Sequence, residues 1–253
     1  MPYKNKKLII FDLDGTLTES KSPIKSGMCQ ELNRLLAEKL VAIISGCKFE
    51  QFKKQILRYL RFSNQFNDKL LSRLYILPTN GAGMWQFDNG WKNEYQENLS
   101  NEECEEIIEK LKKAIDESKV KKSAVLWGEQ FENRGSQITF SALGQEAPLV
   151  KKIKWDPDKL KRYRIQKMLS PRLPQYTIQI GGTTSIDITK QGIDKAYGIK
   201  KLSKYLDISI CDMLFIGDSL QKGGNDAPVK RTGIDWLSVH SAEETKKIIQ
   251  KIL

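Results

Sequence analysis

Three short runs of consecutive apolar residues stand out along the chain, and each is followed within two residues by a polar side chain. The runs cover residues 8–11, 41–44 and 213–216. A short, continuous apolar run is typical of a parallel strand that is covered on both faces. The pattern therefore predicts three strands of a parallel sheet, two near the start of the chain and one near its end.

Helical patterns follow these apolar runs. We predict a helix over residues 31–40 and a second over residues 50–60, where apolar side chains recur at the three- and four-residue spacing of one helix face. A last helix is predicted to begin at Ser241, because Glu244 stands where a capping box requires an acid. Strands that alternate with helices predict a doubly wound α/β core with a parallel sheet.

The middle of the chain has a different pattern. Residues 137–140 and 176–180 alternate between apolar and polar positions, which is the period of half-exposed strands. Two charged helices are predicted with them, one from Ser100 toward Lys119 and one over about residues 157–168. Strands that share one module with such helices predict an α+β arrangement.

The length agrees with a core domain and a smaller second one. The chain has 253 residues, of which 40% are hydrophobic, so it can bury a sizeable core. We predict an α/β core formed by residues 1–82 and 188–253, with an α+β module inserted at residues 83–187. No internal repeat or low-complexity tract interrupts this organisation.

Charge and cysteine content narrow the class of protein. The formal net charge of +11 favours an anionic partner, either a nucleic acid or a small phosphorylated molecule. The four cysteines lie far apart and the chain has one histidine, so neither a zinc site nor a disulfide framework is indicated, and a cytoplasmic location is expected. No apolar run approaches the roughly 18 residues of a membrane span, so no membrane partner is expected.

The polar residues that follow the predicted strands carry the candidate chemistry. Asp12 and Asp14 follow the first strand, Ser45 the second and Asp218 the third. In an open α/β sheet, ligands collect at the carboxyl ends of the strands, so these loops should meet. Carboxylates gathered around one point are tolerated when a divalent cation joins them, and their hard oxygens suit Mg²⁺. An aspartate screened by a metal can attack phosphorus, and a second acid can handle the proton on the leaving oxygen.

Four motifs occur in a recognisable order. They are DLDGT beginning at Asp12, IISG ending at Gly46, the Lys195 of GIDKAYG, and GDSLQKGGND ending at Asp226. Together they resemble the motifs of the haloacid dehalogenase superfamily. The insertion between the second and third motifs resembles the subfamily that carries a large α+β cap there. Within that subfamily the chain is most similar to the eukaryotic-type phosphomannomutases, and the likeness is close to full length.

The resemblance implies catalytic roles for four residues. Asp12 would be the nucleophile that becomes an aspartyl phosphate, and Asp14 would be the general acid and base. Ser45 and Lys195 would bind the phosphoryl group during transfer, the lysine as a compact point charge. This division of labour agrees with the needs of phosphoryl transfer, which depends on positioning and charge neutralisation.

The resemblance also implies a Mg²⁺ site. Asp12, Asp14 and Asp218 would hold the ion, Asp14 through its backbone carbonyl. Asn225 and Asp226 would support the site from the loop that follows the last motif. The expected cofactor is therefore Mg²⁺, bound at the same edge of the sheet as the nucleophile.

Residues of the cap favour one of two activities. In the phosphomannomutases a set of cap arginines grips the distal phosphate of a sugar bisphosphate, and Arg134 matches the first of them. Gln145 and Lys152 stand where the second and third would fall, while Ser185 and Asp187 match cap residues that contact the sugar phosphate. Arg134, Lys152, Ser185 and Asp187 are therefore the candidate substrate-binding residues. Because a mutase needs arginine forks on the distal phosphate, we predict a sugar phosphatase that works through an aspartyl phosphate, with phosphomannomutase as the alternative.

A basic nucleic-acid-binding protein is the alternative from another class. It is suggested by the net charge and by the basic stretch at residues 159–167, which is otherwise a solvated helix face. It is disfavoured because the chain has no recognisable binding motif and because four catalytic motifs would be left unexplained. The expected partner is therefore a small phosphorylated metabolite. A homodimer formed through the cap is a further possibility that the sequence does not decide.

Overall fold

The chain divides into two compact units. The structure is a computed structural model that describes residues 3–61, 67–121 and 123–253. Residues 1–96 and 194–253 form one unit, which we call the core unit, and residues 97–193 form the other, which we call the inserted unit. Each has its own sheet; the core unit has two buried clusters of apolar side chains and the inserted unit has one.

The strands fall into two groups. In chain order they are β1 (Leu8–Phe11), β2 (Leu40–Ile44), β3 (Leu74–Leu77), β4 (Gly83–Phe87), β5 (Trp91–Gln96), β6 (Phe131–Asn133), β7 (Gln137–Ser141), β8 (Tyr176–Gly181), β9 (Ser185–Lys190), β10 (Met213–Gly217) and β11 (Asp235–Ser238). The core unit has a seven-stranded sheet in the order β11-β10-β1-β2-β3-β4-β5. Its first five strands run parallel, and β4 and β5 extend it antiparallel. The three strands predicted from the apolar runs are confirmed.

The helices also follow the predicted alternation. They are α1 (Ser26–Glu38), α2 (Phe49–Phe52), α3 (Arg58–Leu60), α4 (Asp68–Leu71), α5 (Asn101–Glu117), α6 (Leu149–Trp155), α7 (Leu160–Leu169), α8 (Lys195–Leu206) and α9 (Ala242–Ile252). The helix predicted over residues 31–40 begins earlier and ends at Glu38, because Leu40 already pairs in β2. Ser241 caps α9 as predicted, with its hydroxyl accepting from the Glu244 N–H at 3.3 Å. None of the helices in the described ranges is long and apolar enough to cross a membrane.

Apolar layers cover both faces of the core sheet. Along β1, Ile9 and Phe11 join one buried cluster with side chains of α1 and α9. Leu8 and Ile10 point the other way and join a second cluster with side chains of α8. All four residues are fully buried, which explains why this strand reads as a continuous apolar run. The doubly wound α/β core predicted from the sequence is confirmed.

The sheet topology marks one edge as the place for a ligand. The strand order reverses at β1, which lies between β2 on one side and β10 on the other. Loops that leave neighbouring parallel strands in opposite directions open a crevice at their carboxyl ends. In this chain those loops begin at Asp12 and at Asp218. The fold therefore brings together two acids that are far apart in the sequence.

The inserted unit is a four-stranded antiparallel sheet with helices on one face. Its strand order is β6-β7-β9-β8, and α5 and α7 pack on the sheet with a buried cluster that includes Ile138, Phe140, Ile186 and Ile188. The alternating positions on the other face of β7 and β9 are polar. The predicted α+β character of this module agrees with the structure, and the predicted capping box at the start of α5 is present.

The boundaries of the insertion differ from the predicted residues 83–187. The β4–β5 hairpin pairs with β3 and so belongs to the core sheet, although its sequence reads like that of the module after it. At the other end β9 is complete only at Lys190, and the inserted unit ends at Ile193. The insertion therefore spans residues 97–193.

A buried ion pair holds helix α7 to the rest of the inserted unit. Arg162 is 1% exposed, and its Nε donates to Asp156 Oδ2 at 2.7 Å. The same guanidinium donates to the carbonyls of Gly181 and Gly182 at 3.0 and 2.8 Å. The basic stretch that the sequence presents as a solvated face thus contains one arginine that ties the helix to the turn between β8 and β9.

We predict that Arg162→Ala lowers the free energy of unfolding by about 3–5 kcal/mol, because it leaves the Asp156 carboxylate buried without its partner. Arg164→Ala is the matched control, since Arg164 lies exposed on the same helix and its loss should change stability by less than about 0.5 kcal/mol. Urea denaturation followed by circular dichroism measures both. Equal midpoints for the two variants would contradict the assignment.

Candidate active site

Asp12 occupies the carboxyl end of the central strand. It follows β1 directly, its backbone N–H donates to the Ile216 carbonyl of β10 at 2.9 Å, and the residue is 2% exposed. A carboxylate is costly to bury in this way unless charged or polar groups compensate it. Its surroundings therefore decide what it can do.

Lys195 is the main partner of Asp12. It is the first residue of α8, whose start is capped by the Asp194 carboxylate accepting from the N–H groups of Ala196 and Tyr197 at 2.9 and 3.1 Å. Its ammonium donates to Asp12 Oδ1 and, at 2.6 Å, to Asp226 Oδ1. All three side chains are buried. One lysine thus joins two acids that the chain supplies from opposite ends.

Asp226 is itself held by the loop after β10. Its Oδ2 accepts from the Ser219 N–H at 3.0 Å, and its own N–H donates to the Ser219 carbonyl at 3.2 Å. Asp218 precedes this loop, and Asp12, Asp218 and Asp226 offer carboxylate oxygens that all lie within 4.8 Å of one another. The structure therefore forms a cluster of three acids and one lysine.

One oxygen of the nucleophile candidate faces no protein donor. Asp12 Oδ2 is buried and has no hydrogen-bond partner in the part of the chain that the structure describes. Buried carboxylate oxygens are normally satisfied, so an unsatisfied one calls for an explanation such as a catalytic role or a bound ion. Oδ2 is therefore the atom through which Asp12 can contact a cation or attack a substrate.

The pKa values of Asp12, Asp218 and Lys195 are shifted by burial and by the charges of their neighbours. Burial raises the pKa of Asp12 well above its usual value, and the Lys195 charge opposes that rise while the Asp226 and Asp218 charges add to it. Burial and the neighbouring Asp226 raise the pKa of Asp218 to about 6. Burial lowers the pKa of Lys195, but Asp12 and Asp226 more than offset this and raise it overall. The single positive charge of Lys195 therefore does not compensate the negative charges of the three acids.

A hard divalent cation fits this donor set. The predicted ligands are the side chains of Asp12 and Asp218 and the backbone carbonyl of Asp14. In the structure the carboxylates of Asp12 and Asp218 cluster with that of Asp226. Oxygen ligands of this kind suit Mg²⁺, and its charge would offset the excess of negative charge in the cluster. Asp226, expected only as a supporting residue, therefore lies in the cluster itself.

Asp14 lies beside the cluster, with its carboxylate held by its own loop. Its Oδ1 accepts from the Lys21 N–H at 2.6 Å and from Gln55 Nε2 at 3.2 Å. Asp14 is half-buried, in contrast to the buried Asp12. Two acids two residues apart thus have separate environments, as two separate chemical roles require.

Gly15 allows the loop to pass close to Asp218. Its φ is +91°, in the left-handed region, and a Cβ at this position would lie 2.4 Å from Asp218 Oδ2. Any side chain here would displace the carboxylate. The glycine of the DLDGT motif is therefore required by packing against the third acid of the cluster.

Ser45 lies on the loop after β2, and Asn225 lies on the loop after β10. Ser45 follows β2 and is 5% exposed; its N–H donates to the Leu77 carbonyl at 3.1 Å, and its hydroxyl accepts from the Cys47 N–H at 3.4 Å. Asn225 is half-buried directly before Asp226. The topology places Ser45 at the same end of the sheet as Asp12, on the adjacent strand.

Arg134 and Lys152 are both engaged within the inserted unit. The Arg134 guanidinium donates through Nε and Nη2 to Glu132 Oε2, at 2.9 and 2.8 Å. Lys152 is 7% exposed, and its ammonium donates to the Gln145 carbonyl at 2.8 Å. The lysine that stands in place of an arginine is therefore already used to fix the segment that carries Gln145.

Ser185 and Asp187 share the polar face of the inserted sheet. Ser185 Oγ lies 3.0 Å from Ser141 Oγ, and Asp187 Oδ1 accepts from Thr139 Oγ1 at 2.8 Å. Because residues two apart on a strand point to one face, both lie opposite the face that packs against the helices. The structure thus groups these two candidates, while Arg134 lies at the β6–β7 turn.

Sequence reasoning did not single out Gln55. It belongs to a π-helical segment, Lys53–Leu57, between α2 and α3, and is 1% exposed. A sequence pattern could have identified it, because this glutamine falls three residues after Phe52 on the apolar face of the predicted helix. A polar side chain in an apolar stripe indicates a buried partner, here Asp14.

Comparison with known proteins agrees with this geometry. The phosphomannomutase of Encephalitozoon cuniculi is 24% identical over 267 residues, covering 100% of this chain and 96% of that protein. The phosphomannomutase of Saccharomyces cerevisiae is 24% identical, covering 99% and 96%.

The fold has solved counterparts too. The IMP-nucleotidase of Plasmodium falciparum superposes with a TM-score of 0.75 at 19% identity, covering 98% of this chain and 68% of that one. A haloacid dehalogenase-like hydrolase from Bacteroides thetaiotaomicron gives a TM-score of 0.65 at 18% identity, covering 98% and 100%. The family model of the haloacid dehalogenase-like hydrolases matches residues 9–227, and the chain belongs to this family of phosphoryl-transfer enzymes.

Proposed function

We propose that the protein is a Mg²⁺-dependent phosphatase that hydrolyses a sugar phosphate through an aspartyl phosphate on Asp12. The observation that carries the proposal is the pairing of a buried nucleophile candidate with a buried lysine, while Asp12 Oδ2 has no hydrogen-bond partner among the described residues. A free carboxylate oxygen beside fixed positive charge is what attack on a phosphate requires.

In the first half of the proposed reaction, Asp12 Oδ2 forms a bond to phosphorus while the bond to the ester oxygen breaks. Lys195 fixes the other Asp12 oxygen and offsets charge on the group in transfer. The Asp14 carboxyl donates its proton to the departing oxygen. The Ser45 hydroxyl is proposed to bind a phosphoryl oxygen.

In the second half, the Asp14 carboxylate takes a proton from water, and that water attacks the phosphorus of the aspartyl phosphate. The side chains of Asp12, Asp218 and Asp226, together with the backbone carbonyl of Asp14, would hold Mg²⁺. When bound, the ion would neutralise charge on the phosphate and on the acids. Asp12 and inorganic phosphate are released with the site restored.

Residues of the inserted unit favour hydrolysis over mutase action. A mutase must grip the far phosphate of a bisphosphate intermediate while that intermediate turns round. The positions of two expected arginines hold Gln145 and Lys152, and Lys152 donates to a backbone carbonyl. Arg134, Ser185 and Asp187 remain as proposed contacts for one sugar phosphate. The phosphomannomutase activity of the relatives stands as the second candidate, supported by their full-length similarity.

The proposed setting is the cytoplasm, where phosphorylated sugars occur. All four cysteines are free thiols, and Cys29 and Cys104 are buried. Unpaired cysteines agree with a reducing compartment. The net charge of +11 agrees with an anionic small-molecule substrate.

The first prediction from this proposal is that Asp12→Asn lowers phosphate release by about a thousandfold or more, because the amide cannot act as the nucleophile. Asp68→Asn, at an exposed acid of the core unit, is the control and should keep full activity. A malachite-green assay on hexose phosphates with Mg²⁺ measures both. Undiminished turnover in Asp12→Asn would reject the mechanism.

The second prediction concerns metal and pH. Mg²⁺ binds the ionised carboxylates, and because the pKa of Asp218 is about 6 without metal, protons compete with the ion below that pH. The rise in melting temperature on adding Mg²⁺ should therefore be larger at pH 7.5 than at pH 5. Asp218→Asn should abolish most of the increase in melting temperature on adding Mg²⁺, whereas Asp68→Asn should show the same increase as the unmodified protein. A rise that is equal at both pH values would contradict the assigned site.

The third prediction separates phosphatase from mutase. Losing a charged contact to the far phosphate costs about 1.5–3 kcal/mol, which corresponds to roughly ten- to a hundredfold in affinity. The rate of phosphate release from hexose phosphates should therefore exceed the rate of interconversion of mannose 1-phosphate and mannose 6-phosphate. Both rates are measured on one preparation, with and without a hexose bisphosphate.

Variants with added arginines test the same comparison between phosphate release and interconversion. The double variant Gln145→Arg with Lys152→Arg should shift the ratio of the two rates toward interconversion. Lys151→Arg, at an exposed position next to Lys152, is the control and should leave the ratio unchanged. Rapid, activator-dependent interconversion by the unmodified protein, with negligible phosphate release, would make the mutase the better assignment.

A further inference from the structure

Gln55 is a buried polar residue in an apolar environment. It is 1% exposed, and its neighbours on the same helix face, Phe52 and Ile56, are fully buried in the core cluster. A buried amide without partners costs about 1–3 kcal/mol, so a glutamine in this position is explained by what it contacts. An apolar side chain of similar size would fill the same space.

The amide nitrogen and the backbone carbonyl of Gln55 both bond to the segment that connects β1 to α1, while Gln55 Oε1 has no hydrogen-bond partner among the described residues. Its Nε2 lies 3.2 Å from Asp14 Oδ1, 3.3 Å from Thr18 Oγ1 and 3.2 Å from the Ser22 carbonyl. Its backbone carbonyl accepts from the Ile24 N–H at 2.8 Å. One residue of a neighbouring helix therefore supports this segment at several points, beginning at the proposed acid and base.

The local helix geometry favours this placement. Gln55 lies in the π-helical segment Lys53–Leu57, which shifts the side chains from the positions that a regular α-helix would give them. Such segments are rare and are often found at functional sites. Here the Gln55 carbonyl bonds outside the helix while its side chain bonds to Asp14, so the irregular turn and the contact to the acid occur at the same residue.

The contact restrains one oxygen of Asp14. Asp14 Oδ1 accepts from both the Lys21 N–H at 2.6 Å and Gln55 Nε2. Two donors from different segments of the chain on one carboxylate oxygen limit rotation of the group. Proton transfer to a leaving oxygen depends on this orientation, because donor and acceptor must lie within hydrogen-bond reach.

We propose that Gln55 is a positioning residue that orients the Asp14 carboxyl group toward the leaving oxygen. The inference rests on the proposed function, in which Asp14 protonates that oxygen. When the bond between phosphorus and the ester oxygen breaks, the electron pair goes to oxygen, and the Asp14 proton neutralises it. Gln55 changes no bond in this step and acts only through Asp14.

The test uses the basicity of the leaving group. A sugar alkoxide needs a proton to depart, whereas p-nitrophenolate departs without one. The second-order constant kcat/KM reports events up to the first irreversible step, the departure of this group. Gln55→Met keeps the size of the side chain and removes its hydrogen bonds. We expect Gln55→Met to lower kcat/KM about tenfold for hexose phosphate, which is less than the full contribution of general acid catalysis. For p-nitrophenyl phosphate we expect kcat/KM to fall by less than about twofold.

Two further variants separate orientation from anchoring of the segment. Asp14→Asn should show the same selectivity on a larger scale. Thr18→Val removes another partner of Gln55 and leaves the Asp14 contact, so the ratio of the two kcat/KM values should stay at the value of the unmodified protein. Gln51→Met, a glutamine of α2 that is only partly buried, controls for the substitution itself and should leave both constants unchanged.

An equal fall for both substrates in Gln55→Met would overturn the inference, since a merely structural role lowers both constants alike. No fall for either substrate would overturn it as well. Failure of the proposed function gives a different pattern, in which Asp12→Asn releases phosphate from both substrates as fast as the unmodified protein.

Discussion

The buried ion pair between Lys195 and Asp12 is the interaction on which the site depends. The two side chains lie 183 positions apart in the chain, and neither is tolerated in an apolar interior without the other. Lys195 also binds Asp226, so a single ammonium compensates two carboxylates. With Asp218 included, the cluster carries a formal charge of minus two, which a divalent cation neutralises.

The fold supplies this pairing through its topology. Asp12 ends the strand at which the sheet order reverses, and α8, which begins at Lys195, lies against the face that carries Leu8 and Ile10. The inserted unit is placed in the chain between β5 and α8, so its size can vary without disturbing the sheet. The acids and the lysine of the cluster thus all belong to the core unit, and the proposed contacts to the sugar phosphate lie in the inserted unit.

Sequence patterns predicted the strands that precede the candidate site residues, because β1, β2 and β10 are buried on both faces and read as apolar runs. They did not place the β4–β5 hairpin, since an edge hairpin has the same local pattern whichever sheet it joins, and only its register with β3 assigns it. Asp226 was expected as a supporting residue, because its position beside Lys195 depends on how the loop after β10 folds back. Gln55 was missed because its partner Asp14 lies 41 positions away.

The central claim is that Asp12 carries the phosphoryl group during turnover. The direct measurement is to mix the protein with a hexose phosphate bearing radiolabelled phosphate, quench in acid within the first turnover, and map the label by peptide digestion. We expect label on the peptide that contains Asp12, loss of that label on return to neutral pH, and no label in Asp12→Asn. Label on a different peptide, or phosphate release from the unmodified protein with no labelled intermediate at any time, would contradict it.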